Sequence, residues 1–246
     1  MYFNRRNFVA GVGAALIAPR SGMAQATADN PDTDYAEYDL DDYFDHIKGP
    51  VKDVDAGDLQ MVETIISRMK GLGHVEIMET LEALTDKGST GELFNTRWKK
   101  FGNPLIVKFF HDIGYKRTPM PGDCTAWCAA TLSWCLQTAG KSIPNSNPAS
   151  SQAFLHVGTK VSTPKRGDIC VFTDLDDPAH GHVALFSGFE GDSKVKILGA
   201  NQSGSSPTAC GPGYRRSKVS YTVFPINPAR DSAVFSKYLA AYVRPE

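Results

Sequence analysis

The chain has 246 residues, 41% hydrophobic and 22% charged, with 26 lysines plus arginines against 27 aspartates plus glutamates and a net charge of −1. There is no basic run and no interleaved aromatic platform, which argues against nucleic acid as a partner. The N-terminal apolar run is too short to cross a bilayer, and no later stretch approaches the roughly 20 apolar residues that a crossing needs.

Met1 to Ala26 has the three-part layout of an export signal: Asn4-Arg5-Arg6-Asn7-Phe8-Val9, an apolar run to Pro19, and Ala24-Gln25-Ala26 as an A-x-A cleavage site. Adjacent arginines ahead of a bulky apolar pair resemble a twin-arginine signal, with Asn4 where Ser or Thr is usual. The alternative is an ordinary Sec signal. Either predicts cleavage after Ala26 and a mature protein in the periplasm or secreted. From Thr27 to Gln60, eleven acids stand against Lys48 and Lys52, a net of −9, whereas the chain from Met61 onward carries +5. Residues 27–57 therefore read as an acidic linker. A pro-segment folded over a basic surface is the alternative, with Tyr35, Tyr38, Tyr43 and Phe44 as anchors.

Helical spacing follows. Leu59, Val62, Ile65, Ile66 and Met69 predict a helix over 58–70, and Val75, Met78, Leu81 and Leu84 a second over 74–87. Gly71-Leu72-Gly73 separates them and Gly88 stops the second, giving an αα-hairpin extension over 58–90. Pro104, suited to the first helical position, opens a third helix to about Ile113. After a Pro-rich loop a fourth begins near Cys128 and ends at Gly140. Residues 142–151 read as a loop. Short apolar or alternating runs at 168–173, 182–189, 194–198, 219–224 and 239–243 then predict strands. Helices first and strands afterwards indicate an α+β fold, with an antiparallel sheet packed on the Cys128 helix, over 91–246.

Five cysteines, at 124, 128, 135, 170 and 210, leave one thiol over in a compartment that permits disulfides. Spacing does not fix the pairing. Cys124 and Cys210 sit in turn-like surroundings and form the candidate pair, whereas Cys135 and Cys170 look like buried apolar positions. Cys128 stands at a helix start, where the peptide dipoles favour a thiolate; Cys124 precedes that start and lacks them. Of six histidines, His182 opens an apolar strand. His180-Gly181-His182 could suggest a metal, but no carboxylate or cysteine stands at ligand spacing and no H-E-x-x-H occurs, so neither metal nor cofactor is expected. A hairpin from His182 to the next strand would bring Asn201 beside the imidazole, where an amide can hold its tautomer. Asn201 also reads simply as a turn residue.

The run Trp127-Cys128-Ala129-Ala130 through Ala139-Gly140 resembles the nucleophile helix of NlpC-like and CHAP cell-wall amidases and endopeptidases, whose cysteine lies twelve residues before a closing Ala-Gly. Pro164-Lys165-Arg166-Gly167-Asp168 is similar to their P-x-x-G-D turn, Gly181-His182-Val183-Ala184 to their GHV strand, and Gly199-Ala200-Asn201-Gln202 to a GGNQ motif of one bacterial subgroup, with Ala200 where Gly is more frequent. Asn103-Pro104-Leu105-Ile106-Val107 and Tyr242-Val243-Arg244-Pro245 echo that subgroup too. The resemblance covers about Glu92 to Glu246. It implies a papain-like α+β domain and hydrolysis of amide bonds in peptidoglycan, with Cys128 as nucleophile, His182 as acid and base, and Asn201 orienting His182. Trp127 is a candidate cleft wall, or packing. A non-catalytic envelope-binding module on the same scaffold, an antibacterial effector and a protein-directed peptidase are the competing readings.

Overall fold

A computed structural model describes residues 55–98, 102–115, 126–202, 217–227 and 237–246. The export signal, most of the acidic segment, Cys124 and Cys210 lie outside the described residues. Helix α1, Ala56–Ser67, starts where the Asp55 carboxylate accepts from Gly57 N and Asp58 N, a cap that satisfies otherwise orphaned donors. Buried Asp58 accepts from Ser89 N at 2.7 Å and Ser89 Oγ at 2.6 Å, tying the helix to the 88–91 turn. Helix α2, His74–Glu82, buries Ile77, Met78 and Leu81.

Spacing alone extends α2 to Lys87, but it stops at Glu82. The Asn95 amide donates to Glu82 O at 2.8 Å and Leu84 O at 3.4 Å, and Lys87 pairs instead with Leu93. A distant side chain thus takes carbonyls that a longer helix would have used itself. Helix α3, Pro104–Asp112, is capped by Asn103. The same Asn103 donates through Nδ2 to Phe94 O and Thr96 O.

Helix α4, Cys128–Thr138, is buried from Cys128 through Leu136, so it forms the centre of the domain rather than one of its faces. A 3-10 turn, Ser151–His156, follows, and then six strands: β1 Thr159–Val161, β2 Ile169–Asp174, β3 Gly181–Glu190, β4 Lys194–Gln202, β5 Lys218–Pro225 and β6 Lys237–Arg244. They form one antiparallel sheet in the order β1-β6-β2-β3-β4-β5. The short β1 and the 3-10 turn carry no periodicity that would predict them.

Alternation along the strands builds two apolar layers. Ile169, Val171, Val183, Leu185, Leu198, Ala200, Val219 and Val243 join the helices in one core cluster. That cluster also holds Val62, Ile65, Ile77, Met78 and Leu81, so the first two helices share a core with α4. On the other face Cys170, Phe172, Ala184, Phe186, Val195 and Ile197 cluster, flanked by Phe224, Ile226, Leu239 and Tyr242. Cys135 and Cys170 are free, fully buried thiols, which burial raises well above their ordinary pKa.

Candidate active site

The end of β2, the start of β3, the end of β4 and the start of β6 lie at one end of the sheet, as the antiparallel registers require. The start of α4 meets them there. Cys128 is the first residue of α4, and its N-cap, Trp127, supplies no side-chain cap. The first helical amides are therefore left for another acceptor. Backbone contacts from Val183, Ala129 and Cys128 itself favour the thiolate, as does the charge of Lys237. Burial is the larger effect and raises the thiol above its ordinary pKa. Trp127 is fully buried and its indole donates to Ser217 Oγ at 3.0 Å. A flat apolar ring with one polar edge, satisfied in this way, anchors the helix start inside the core rather than walling an open cleft.

Val183, whose backbone meets the thiol, directly follows His182. His182 is 8% exposed. It stacks on Phe224, with centroids 5.7 Å apart and planes 7° from parallel, and lies 6.4 Å from Phe172. Burial first, and the charge of Lys237 second, push its pKa down to about 4, since both disfavour the cation. At neutral pH the thiol and the ring are thus both uncharged.

Gly181 explains why the histidine follows a glycine. A Cβ at this position would overlap the Phe172 carbonyl and the Gln152 amide. Gln152 Nε2 donates to Phe172 O at 3.0 Å and Gln152 Oε1 accepts from Thr173 Oγ1 at 2.8 Å, fixing the strand start that carries His182.

Asn201 and Gln202 end β4. The β3–β4 register pairs Leu185 with Leu198, and continued without interruption it would set Asn201 opposite His182. The strand instead shifts register against β5 between Gly199 and Gln202, with Asn201 at φ 57°. One extra residue is absorbed there, and the next side chain moves to the opposite face. The amide that reaches His182 Nε2, at 3.4 Å, is that of Gln202, a residue only 3% exposed. Asn201, half-buried, occupies the left-handed position, which asparagine tolerates better than most residues.

Four residues were not anticipated: Gln202, Lys237 and Asp174 at this end of the sheet, and Phe224, which reaches the ring from the far end of β5. Lys237 Nζ pairs with Asp174 Oδ2 at 2.9 Å across β6 and β2. Gln202 had a signal, because an asparagine followed by a polar residue at a strand end allows a bulge as readily as a turn. Phe224 and Lys237 had none, since they arrive through pairings distant in sequence.

The CHAP domain family model matches residues 115–201, a span containing Cys128, His182 and Asn201. The match supports a CHAP-type domain, a class whose members are typically amidases or peptidases. No curated protein and no solved structure matches the chain.

Proposed function

We propose that the chain is an exported cysteine amidohydrolase or endopeptidase that cleaves amide bonds of peptidoglycan, on a papain-like arrangement. The observation that carries this reading is the position of Cys128: first residue of a buried helix with an uncapped start, held against the backbone of the residue that follows His182.

Cys128 Sγ attacks the scissile carbonyl while its proton passes to His182, because a thiolate is the competent nucleophile and the resting thiol is neutral. Negative charge develops on the carbonyl oxygen, and the amides at the start of α4, which no side chain caps, are the donors suited to it. The imidazolium then gives its proton to the leaving amine as the C–N bond breaks, forming the thioester. Water attacks that acyl-enzyme with His182 again as base, which releases the acid and restores the thiol. A polar side chain at the end of β4 orients the ring.

The test is release of soluble fragments from purified sacculi. Cys128→Ala is expected to abolish release and Cys135→Ala to retain it; release by folded Cys128→Ala at the wild-type rate would sink the assignment. Mass analysis of the fragments distinguishes a cut at the sugar-to-peptide amide from one within the stem peptide.

A further inference from the structure

A neutral imidazole can act as base only from the nitrogen that lacks the proton. What fixes the proton on His182 can be read from the hydrogen bonds around Gln202. The Gln202 amide is surrounded by Ser220 O, Thr222 Oγ1, Gly199 N and the His182 ring. With its NH2 toward β5, it donates to Ser220 O at 2.8 Å and Thr222 Oγ1 at 2.6 Å, and its oxygen accepts from Gly199 N at 3.3 Å. The reverse orientation sets its oxygen against the Ser220 carbonyl and its NH2 against the Gly199 N–H, leaving acceptors facing acceptors and donors facing donors. A buried amide takes the orientation that satisfies both ends.

That orientation puts the amide oxygen where the amide nitrogen of the reverse orientation would stand, 3.4 Å from His182 Nε2. An oxygen there can only accept, so Nε2 carries the hydrogen and Nδ1 keeps the lone pair. We propose that Gln202 is the positioning residue that holds His182 in its Nε2–H tautomer, leaving Nδ1 as the base toward Cys128, and that the bulge at Asn201 is the device that brings Gln202 to the ring.

Three features make the placement specific. Gln202 is anchored to β5 through two donors, so it cannot rotate to follow the ring. Gly199 leaves the space it occupies: a Cβ there would stand 2.8 Å from the Gln202 amide and 2.6 Å from Ala184 Cβ. Phe224 holds the ring plane from the other side. When His182 takes the thiol proton on Nδ1, its Nε2–H keeps the same acceptor, so the ring need not turn between its two roles. The role of Nδ1 as base rests on the function proposed above; the tautomer does not.

The experiment is long-range proton–nitrogen NMR on the mature chain labelled with 15N-histidine, the His182 signals being assigned by their loss in His182→Gln. The wild type is expected to show the Nε2–H pattern. Gln202→Ala should give a mixture of tautomers, and a kcat on sacculi lowered about 100-fold at nearly constant KM. Gly199→Ala, which displaces Gln202 without removing it, should move both in the same direction. Asn201→Gly, which keeps the positive φ, should keep the wild-type tautomer. An Nδ1–H pattern in the wild type overturns the proposal, whatever the variants do. So does a tautomer lost in Asn201→Gly but kept in folded Gln202→Ala. A wild type with the Nε2–H pattern and no action on sacculi would sink the enzyme reading and leave the assignment standing.

Discussion

Arg244 holds Asp168 through two contacts, Nε to Oδ1 at 3.1 Å and Nη2 to Oδ2 at 2.8 Å, locking the end of β6 to the turn that precedes β2. The same carboxylate accepts from Lys165 N at 2.7 Å and is 4% exposed. Two short motifs separated by 76 residues, the P-x-x-G-D turn and the terminal Tyr-Val-Arg-Pro, are therefore one structural unit. Asp168→Ala leaves the Lys165 amide without its partner and is expected to cost about 2 kcal/mol. A lower urea midpoint at unchanged m-value would show it. Arg244→Lys keeps the charge but loses the two-pronged fit, and should recover only part of the difference.

Gly181→Ala is expected to damage activity more than its size suggests. The added methyl meets a backbone carbonyl, Phe172 O, as well as the Gln152 amide. A side-chain tip can swing away, but a strand carbonyl bonded to its neighbour cannot. The start of β3 must shift, and His182 with it. The loss of stability should be about 1–3 kcal/mol, typical of overpacking, while fragment release should fall far more steeply. Gln152→Ala added to Gly181→Ala should not restore release, because the backbone clash remains. A double variant as active as the wild type would refute this.

The helices and most strands were legible because each buries one face at its own period. Val62 and Ile65, or Val183 and Leu185, announce their elements without outside help. The end of α2 was not legible, because Asn95 arrives from thirteen residues away to take the Glu82 carbonyl. The strand end at Asn201-Gln202 illustrates a finer limit. Period-two alternation selects Asn201 to face His182, and a single positive φ reverses the choice. A bulge is stabilised by what surrounds it, here Gly199 on its own strand and Ser220 and Thr222 on β5, and the last two come from a second strand. The stacking of Phe224 on His182 was beyond reach for the same reason.

His182 makes stability depend on pH in a defined direction. Its pKa is about 4 when folded, against 6.5 for an ordinary histidine. Between these values the unfolded chain binds the proton and the folded one does not, so stability falls as pH falls from 6.5 toward 4. Below 4 both states are protonated and this contribution stops changing. The whole window amounts to about 3 kcal/mol. Urea denaturation of His182→Gln, compared with wild type from pH 7.5 to 4, should give a flatter curve by that amount. Parallel curves would show that the ring is not held neutral by burial.

Lys237 connects the thiol and the ring electrostatically. Its charge favours the Cys128 thiolate and disfavours the His182 imidazolium, while burial raises the thiol and lowers the ring. Because burial dominates for Cys128, its alkylation by iodoacetamide should be slow at pH 7 and still climb with pH beyond 9, where an ordinary thiol levels off. Lys237→Met removes the cation and leaves the Asp174 carboxylate, its partner at 2.9 Å, without that compensation. Both changes favour positive charge and oppose negative charge nearby. Alkylation of Cys128 should therefore slow further at every pH, and the pKa of His182 should rise. The two shifts carry the same sign although the groups ionise to opposite charges, which separates a local field from a loss of packing. Loosened packing would instead expose the thiol and speed its alkylation. Mass-spectrometric labelling rates at Cys128, with buried Cys135 as the internal control, decide between them.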